Sequence, residues 1–273
     1  MVERDWIGAT DQAAGLRRLF GRRNARVIAF VASTAAGERS ALLSTTATAL
    51  AGAGRRVVVV DELGGDSGLV GAFGLKPQAD LFDVLTGQRA IGEAVMMAGS
   101  NLRLASAVRA ARELESGEVG LRQQLDAVLR TLCENADFVL IDASLRRSRL
   151  SQLTLAAPDM VLALNADSEA IKRAYALLKR SVRERGRDGY HLAVRHPGGE
   201  RAARGVFDTI QAVARQHLDL GLGYLGHVSA ARGALAEAFA SHLPPLPGTC
   251  AIDPQVPLPA AFSALREPFQ SVV

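Results

Sequence analysis

Lysine, cysteine and aromatic residues are all scarce in this chain, and each shortage removes a class of explanation. Its 273 residues contain three lysines, Lys76, Lys172 and Lys179. The formal charge of +4 therefore rests almost wholly on arginine. Cys133 and Cys250 are the only cysteines. Two such distant thiols make neither a disulfide framework nor a zinc site, which fits a reducing cytoplasm. Aromatics amount to 5%, which argues against an aromatic-rich β-sandwich and for tight helix–sheet packing through Ala and Gly. No stretch approaches the roughly 18 uninterrupted apolar residues of a membrane span. The opening "MVERDWIGATDQ" carries acids and no apolar centre, so it does not read as a signal peptide. No internal repeat is visible.

What is present is an ordinary globular composition, 48% apolar and 22% charged, long enough for one large α/β domain with a full core. From about residue 26, short apolar runs alternate with helical stretches. Strands are predicted at Val27–Ala32, Val57–Val60, Phe138–Ile141, Met160–Leu164, His191–Val194 and Leu222–Val228. Helices are predicted at Ser40–Ala53, closed by Gly54, and at Leu121–Glu134, Ser168–Glu184, Ala202–His217 and Ala231–Ala240. The apolar runs lack polar alternation, as strands buried on both faces do. This pattern implies right-handed crossovers and a mostly parallel sheet with helices on both faces. The expected organisation is an arm at 1–25, one domain at 26–243, and a tail at 244–273 whose seven prolines make a long helix improbable.

In open α/β sheets, ligands sit beyond the carboxyl ends of the strands. Between the first strand and the next helix lies "STAAGER", where a phosphate loop would read G-x-x-x-x-G-K-[ST]. Gly37 lies within this loop, and Ser40 supplies the hydroxyl wanted by magnesium. Arg39 stands at the lysine position and Glu38 at that of the second glycine. A glutamate facing a phosphate charge a few ångströms away repels it by about 4 kcal/mol at an effective dielectric near 20. The planar guanidinium of Arg39 does not reproduce a compact ammonium threaded through the loop. Asp61 ends "VVVVD" and Asp142 ends "FVLID"; carboxylates at such ends can hold magnesium or its water. Ser40, Asp61 and Asp142 are thus the metal candidates, and Gly37 and Arg39 complete the nucleotide candidates. A strand–loop–helix that binds no nucleotide remains the open alternative, and no catalytic residue is assigned.

Over about Val27–Leu243 these residues resemble the MinD/ParA family of deviant P-loop ATPases, whose members carry a loop like "GKGGVGKT", then a strand ending "DxD", and later "LIDTGAG". The interval from Ser40 to Asp61 matches without a gap, "VLIDAS" falls on the second acidic motif, and "EAIKRAYALLK" falls on a family helix. The departures concentrate on nucleotide chemistry. The class-defining first lysine falls on Thr34, the loop lysine on Arg39, a glycine on Glu38, and the second aspartate of "DxD" on Leu63. The base-contacting asparagine is replaced within "AVRHP" by Arg195 or His196. The resemblance implies a MinD/ParA-like P-loop NTPase fold and ATP or ADP with magnesium as cofactor. The departures imply weakened hydrolysis and a weakened ATP-driven homodimer.

The arm narrows the resemblance to the FlhG branch, regulators of flagellar number and placement. "DQAAGLRRL" matches its D-Q-A-x-x-L-R activator motif. Thr10 or Asp11 can cap a short helix, with Ala13, Leu16, Leu19 and Phe20 on one side. Gly15 costs that helix about 1 kcal/mol relative to alanine. The resemblance implies docking on an FlhF-like GTPase, with Gln12 orienting the attacking water and Asp11, Ala13, Leu16 and Arg17 fixing the helix. It also implies a flagellar transcription activator as a second partner, and no direct nucleic acid contact. Location is expected in the cytoplasm, or peripherally at the inner membrane or pole. In the tail, Phe262, Leu265 and Phe269 have membrane-helix spacing that Pro268 interrupts. The arginine clusters 17–23 and 146–149 read most simply as solvated surface. Two other readings are an active MinD-like ATPase cycling between monomer and membrane-bound dimer, and a ParA-like partitioning or cellulose-synthesis accessory protein.

Overall fold

The computed structural model describes residues 25–32, 36–65, 68–114, 119–134, 136–146, 149–186, 188–228 and 234–244. The activator motif, Thr34 and the proline-rich tail lie outside the described residues.

Eight strands form one sheet in the order β10-β9-β8-β1-β5-β2-β4-β3. They are β1 (Arg26–Ala32), β2 (Val57–Asp61), β3 (Val95–Gly99), β4 (Leu102–Ser106), β5 (Phe138–Asp142), β8 (Asp159–Asn165), β9 (Tyr190–Arg195) and β10 (Gly223–His227). All neighbours pair in parallel except β3 and β4. Between β5 and β8 a small hairpin is formed by β6 (Leu145–Arg146) and β7 (Arg149–Leu150). The helices are α1 (Ala36–Gly52), α2 (Leu69–Ala72), α3 (Leu81–Leu85), α4 (Ile91–Ala94), α5 (Val108–Glu113), α6 (Val119–Glu134), α7 (Gln152–Ala156), α8 (Ser168–Arg185), α9 (Gly199–Leu218) and α10 (Ala234–His242).

The central strands are buried on both sides because helices cover both faces. Ile28, Phe30, Val57, Val59 and Leu140 pack under α1, α2 and α10 through Leu43, Leu69 and Phe239. Their sequence neighbours Val27, Ala29, Val58, Val60 and Ile141 point the other way, onto α3–α7. Met160, Leu162, Leu192 and Val194 meet α8 and α9 on that same second face. β2, four valines and an aspartate, is buried throughout, as β-branched side chains in a two-sided core should be.

The expected α/β architecture is what the chain adopts, and most predicted elements agree within a residue or two. One difference matters for the site. α1 begins at Ala36, not Ser40, so half of "STAAGER" is helix and Glu38 falls in the first turn. A carboxylate there is favoured by the helix dipole, which explains why glutamate is compatible with this position.

Candidate functional site

The sheet's carboxyl edge gathers the ends of β1, β2, β5, β8 and β9, and with them every described candidate. Asp61 and Asp142 are register partners on adjacent strands, and both are fully buried. Their partners differ. Asp61 Oδ1 accepts from the amides of Leu63 (2.9 Å) and Gly64 (3.2 Å), and Oδ2 from Val70 (2.9 Å). Asp61 thus holds the loop after β2 and the start of α2, and both its oxygens are engaged by backbone amides. Gly68 is needed at this point because a Cβ there would overlap Asp61 Oδ2 and the Gly64 backbone.

Asp142 faces the first turn of α1. Arg39 Nε lies 2.9 Å from Asp142 Oδ1, and Ser40 donates its hydroxyl to Oδ2 at 3.2 Å. The whole group is withdrawn from water, with Arg39 only 4% exposed. Burial pushes the Asp142 carboxyl up to about 6, with the neighbouring Asp61 charge adding to the rise and Arg39 and Ser40 opposing it. Arg39 Nη2 is buried without a hydrogen-bond acceptor. Glu38 is exposed and accepts a 3.4 Å hydrogen bond from Asn165 Nδ2 at the end of β8. Gly37 lies in the first turn of α1.

Beside Glu38 is a recess of about 230 Å³, open solvent included, lined by Leu42, Ala163, Leu164, Asn165, Arg195 and Val228. It stands where the resemblance expected a base-contacting asparagine. Arg195 lines it, whereas His196 turns its Nδ1 to the amide of Gly198 (2.9 Å).

Among the buried acids that escaped the sequence reading, one stands next to Asp61. Glu62 follows Asp61 and is 3% exposed. It accepts from Ser144 N (2.9 Å), Ser144 Oγ (3.3 Å), Ser151 Oγ (2.5 Å) and Thr154 Oγ1 (3.3 Å). Burial raises its carboxyl to about 7 against the pull of these four donors. Ser151 in turn caps α7 by accepting from Thr154 N at 3.0 Å. Glu62 therefore ties the end of β2 to the segment following β5. The available signal was an acid immediately beyond an all-buried strand, but its three hydroxyl partners are 82 to 92 residues away.

The comparisons with known proteins agree with this fold. No protein-family model matches the chain. The antiactivator FleN of Pseudomonas aeruginosa is 25% identical over 182 residues, 66% of this chain. The chain spans about 65% of the length of that relative. Among solved structures, the septum site-determining protein MinD of Pyrococcus horikoshii, complexed with Mg-ADP, superposes with a TM-score of 0.52 at 18% identity, covering 78% of this chain and 86% of that one. A plasmid partition protein of Borrelia burgdorferi gives 0.57 at 16% identity over 81% of this chain and 100% of that one. The chain has the MinD/ParA P-loop NTPase fold, and its sequence resembles that of FleN.

Proposed function

We propose that this chain is a FlhG-type regulator that works by binding proteins and has lost efficient ATP turnover of its own. The carrying observation is the buried Arg39–Asp142 pair. In a working site the loop cation would face phosphate, and the hydroxyl and carboxylate would face magnesium. Here the cation is spent on the carboxylate, and the Ser40 hydroxyl donates to that same carboxylate.

The residues fit the parts of a magnesium–nucleotide unequally. The amino end of α1 and the acceptor-free Arg39 Nη2 suit an anion such as a phosphate. A divalent cation does not fit beside Asp142, because the guanidinium already occupies one oxygen and both Asp61 oxygens are engaged by amides. Nucleotide held without cleavage is the state this chemistry supports, with Gly37, Arg39 and Ser40 nearest its phosphates.

On this reading the output is contact with other proteins. The arm, through Asp11, Gln12, Ala13, Leu16 and Arg17, docks on an FlhF-like GTPase and stimulates it. The similarity to an antiactivator supports restraint of a transcription activator as the second output. Calorimetry with ATP and magnesium, together with a phosphate-release assay, tests the first half. Micromolar binding with sustained release would reverse the assignment in favour of an active MinD-like ATPase. The second half is tested by FlhF turnover with the full chain, where Gln12→Ala should abolish stimulation; equal stimulation by that variant ends the activator role.

A further inference from the structure

We propose that the amino-terminal arm is stored on the core when no partner holds it, its segment 2–7 lying as an added strand on the free edge of β3. This rests on the reading that the arm serves a partner GTPase, and it names what restrains that arm beforehand. The carrying observation is Arg103, on β4. Among the described residues, the arginines withdrawn from solvent are Arg26, Arg39, Arg56, Arg103, Arg180 and Arg185. Arg26, Arg39 and Arg56 face carboxylates, and Arg185 faces main-chain carbonyls. Arg103 and Arg180 have neither among the described residues. Arg103 also meets a second cation: burial and the Arg56 charge both push its guanidinium below the usual range. A carboxylate is what this position lacks.

The residue opposite Arg103 on β3 is Met97, which is 52% exposed although large and apolar. β3 ends the sheet, and its outer main-chain groups pair with no described strand. It reads "VMMAG", without the charge or proline that commonly protects an edge. Its register shift falls between Met97 and Gly99, which leaves Val95 to Met97 regular.

Residues 2–7, "VERDWI", suit this edge. In an added strand, alternation places Glu3 and Asp5 on one side and Val2, Arg4 and Trp6 on the other. The acids then share the face of Met97 and Arg103, two strand spacings or roughly 10 Å from β4, within reach of long side chains. The opposite register would bring Arg4 to Arg103 and is disfavoured by repulsion. Val2 and Trp6 share the face of Met96 and Ala98, which are half-buried against the core of α1 and α2. The chain can reach. Arg26 stands level with Leu102 of β4 through Phe138 and Val57. An added strand lies five spacings from β1, about 24 Å, and residues 8–25 extend up to roughly 60 Å. The proline-rich tail is a poorer occupant. It follows α10, which packs on β10 at the other end of the sheet, and its prolines cannot donate to a ladder.

Trp6 is the chain's only tryptophan, so the intrinsic fluorescence of the full-length chain reads the arm alone. Its emission should be blue-shifted from that of the urea-unfolded chain and protected from acrylamide, whatever the protein concentration. Arg103→Glu should abolish both effects, and so should Glu3→Arg/Asp5→Arg, which leaves the core untouched. Joining these changes in one chain should restore them. Circular dichroism confirms that Arg103→Glu is folded. The proposal is overturned if wild-type Trp6 behaves as in the unfolded chain, if protection survives both variants, or if it appears only as concentration rises. None of these readouts needs a GTPase. With the GTPase added, Arg103→Glu should stimulate at lower concentration than the wild type; equal stimulation overturns the storage role. Absence of stimulation by either protein ends the activator reading and the storage role with it, while docking of the arm is decided by Trp6.

Discussion

β5 is flanked by an aspartate at each end, and the two meet arginine in opposite ways. At the amino edge, Asp137 accepts from the Arg56 amide (2.8 Å) and from Arg56 Nη2 (2.9 Å), so each oxygen has a donor. Arg26 and His191 make a similar cluster on Asp159 nearby. At the carboxyl edge, Asp142 Oδ1 meets Arg39 Nε as an ion pair without hydrogen-bond geometry, and Arg39 Nη2 has no acceptor. The amino-edge pair gives both carboxylate oxygens a donor and opens partly to water, although Arg56 Nε is buried without an acceptor. The carboxyl-edge pair is drier and less satisfied, with Asp142 Oδ1, Arg39 Nε and Arg39 Nη2 all buried without a hydrogen bond.

Breaking each pair should therefore have different consequences. Asp142→Ala strands a guanidinium whose side chain is 5% exposed, and losing one partner of a buried pair costs about 3–5 kcal/mol. Asp137→Ala strands Arg56, whose side chain is 15% exposed and can rehydrate; a cost of about 1–3 kcal/mol is expected. Urea unfolding of both variants gives the order. A larger loss for Asp137→Ala would remove the distinction between the two edges.

The next effect follows from Glu62. Its carboxyl titrates near 7 in the folded chain against 4.5 as its ordinary value. Between those values the folded state holds a proton that the unfolded chain has released, so stability falls as pH rises through that window. The full swing is about 3 kcal/mol at 1.36 kcal/mol per unit. Asp142 acts in the same direction from 3.8 to about 6. Glu62→Gln should remove the decline between about pH 6 and 7, roughly halve it between 4.5 and 6, where Asp142 also contributes, and leave unchanged only the part below 4.5. Unfolding free energies across pH 4 to 8 check this; an unchanged upper slope would mean that Glu62 is ionised in its cage.

These two acids also show what was legible in the sequence. Asp61 and Asp142 could be read because each ends an apolar run, and strand ends in a parallel sheet share one edge. Arg39 and Glu38 could be read from spacing alone. Their directions could not, because the ion pair to Asp142 spans 103 positions and Glu38 reaches Asn165 127 positions away. The helices α2 to α5 and strands β3 and β4 were also missed. The helices are four to six residues each, too short to show a period. β4 reads "LRLAS", with an arginine inside and no β-branched residue.

A smaller effect tests the amide cradle of Asp61. Gly68→Ala brings a methyl group against Asp61 Oδ2 and the Gly64 backbone, an overpacking worth about 1–3 kcal/mol. The loss should be local, with faster hydrogen exchange at the amides of Leu63, Gly64 and Val70. Unchanged exchange there would mean that Asp61 does not organise the loop.

The smallest expected effect is the most informative about history of the site: Arg39→Lys should leave ATP hydrolysis where it is. Lysine restores the residue type that a phosphate loop uses, and its ammonium could still pair with Asp142. Three features remain unchanged: Glu38 in the first turn, Leu63 in place of a second carboxylate, and Asp61 bound by three amides. Phosphate release by the variant should match that of the parent chain. Substantial turnover from this one change would mean that the carboxyl edge was always competent, and that the difference between the two ends of β5 comes from one guanidinium rather than from the whole arrangement.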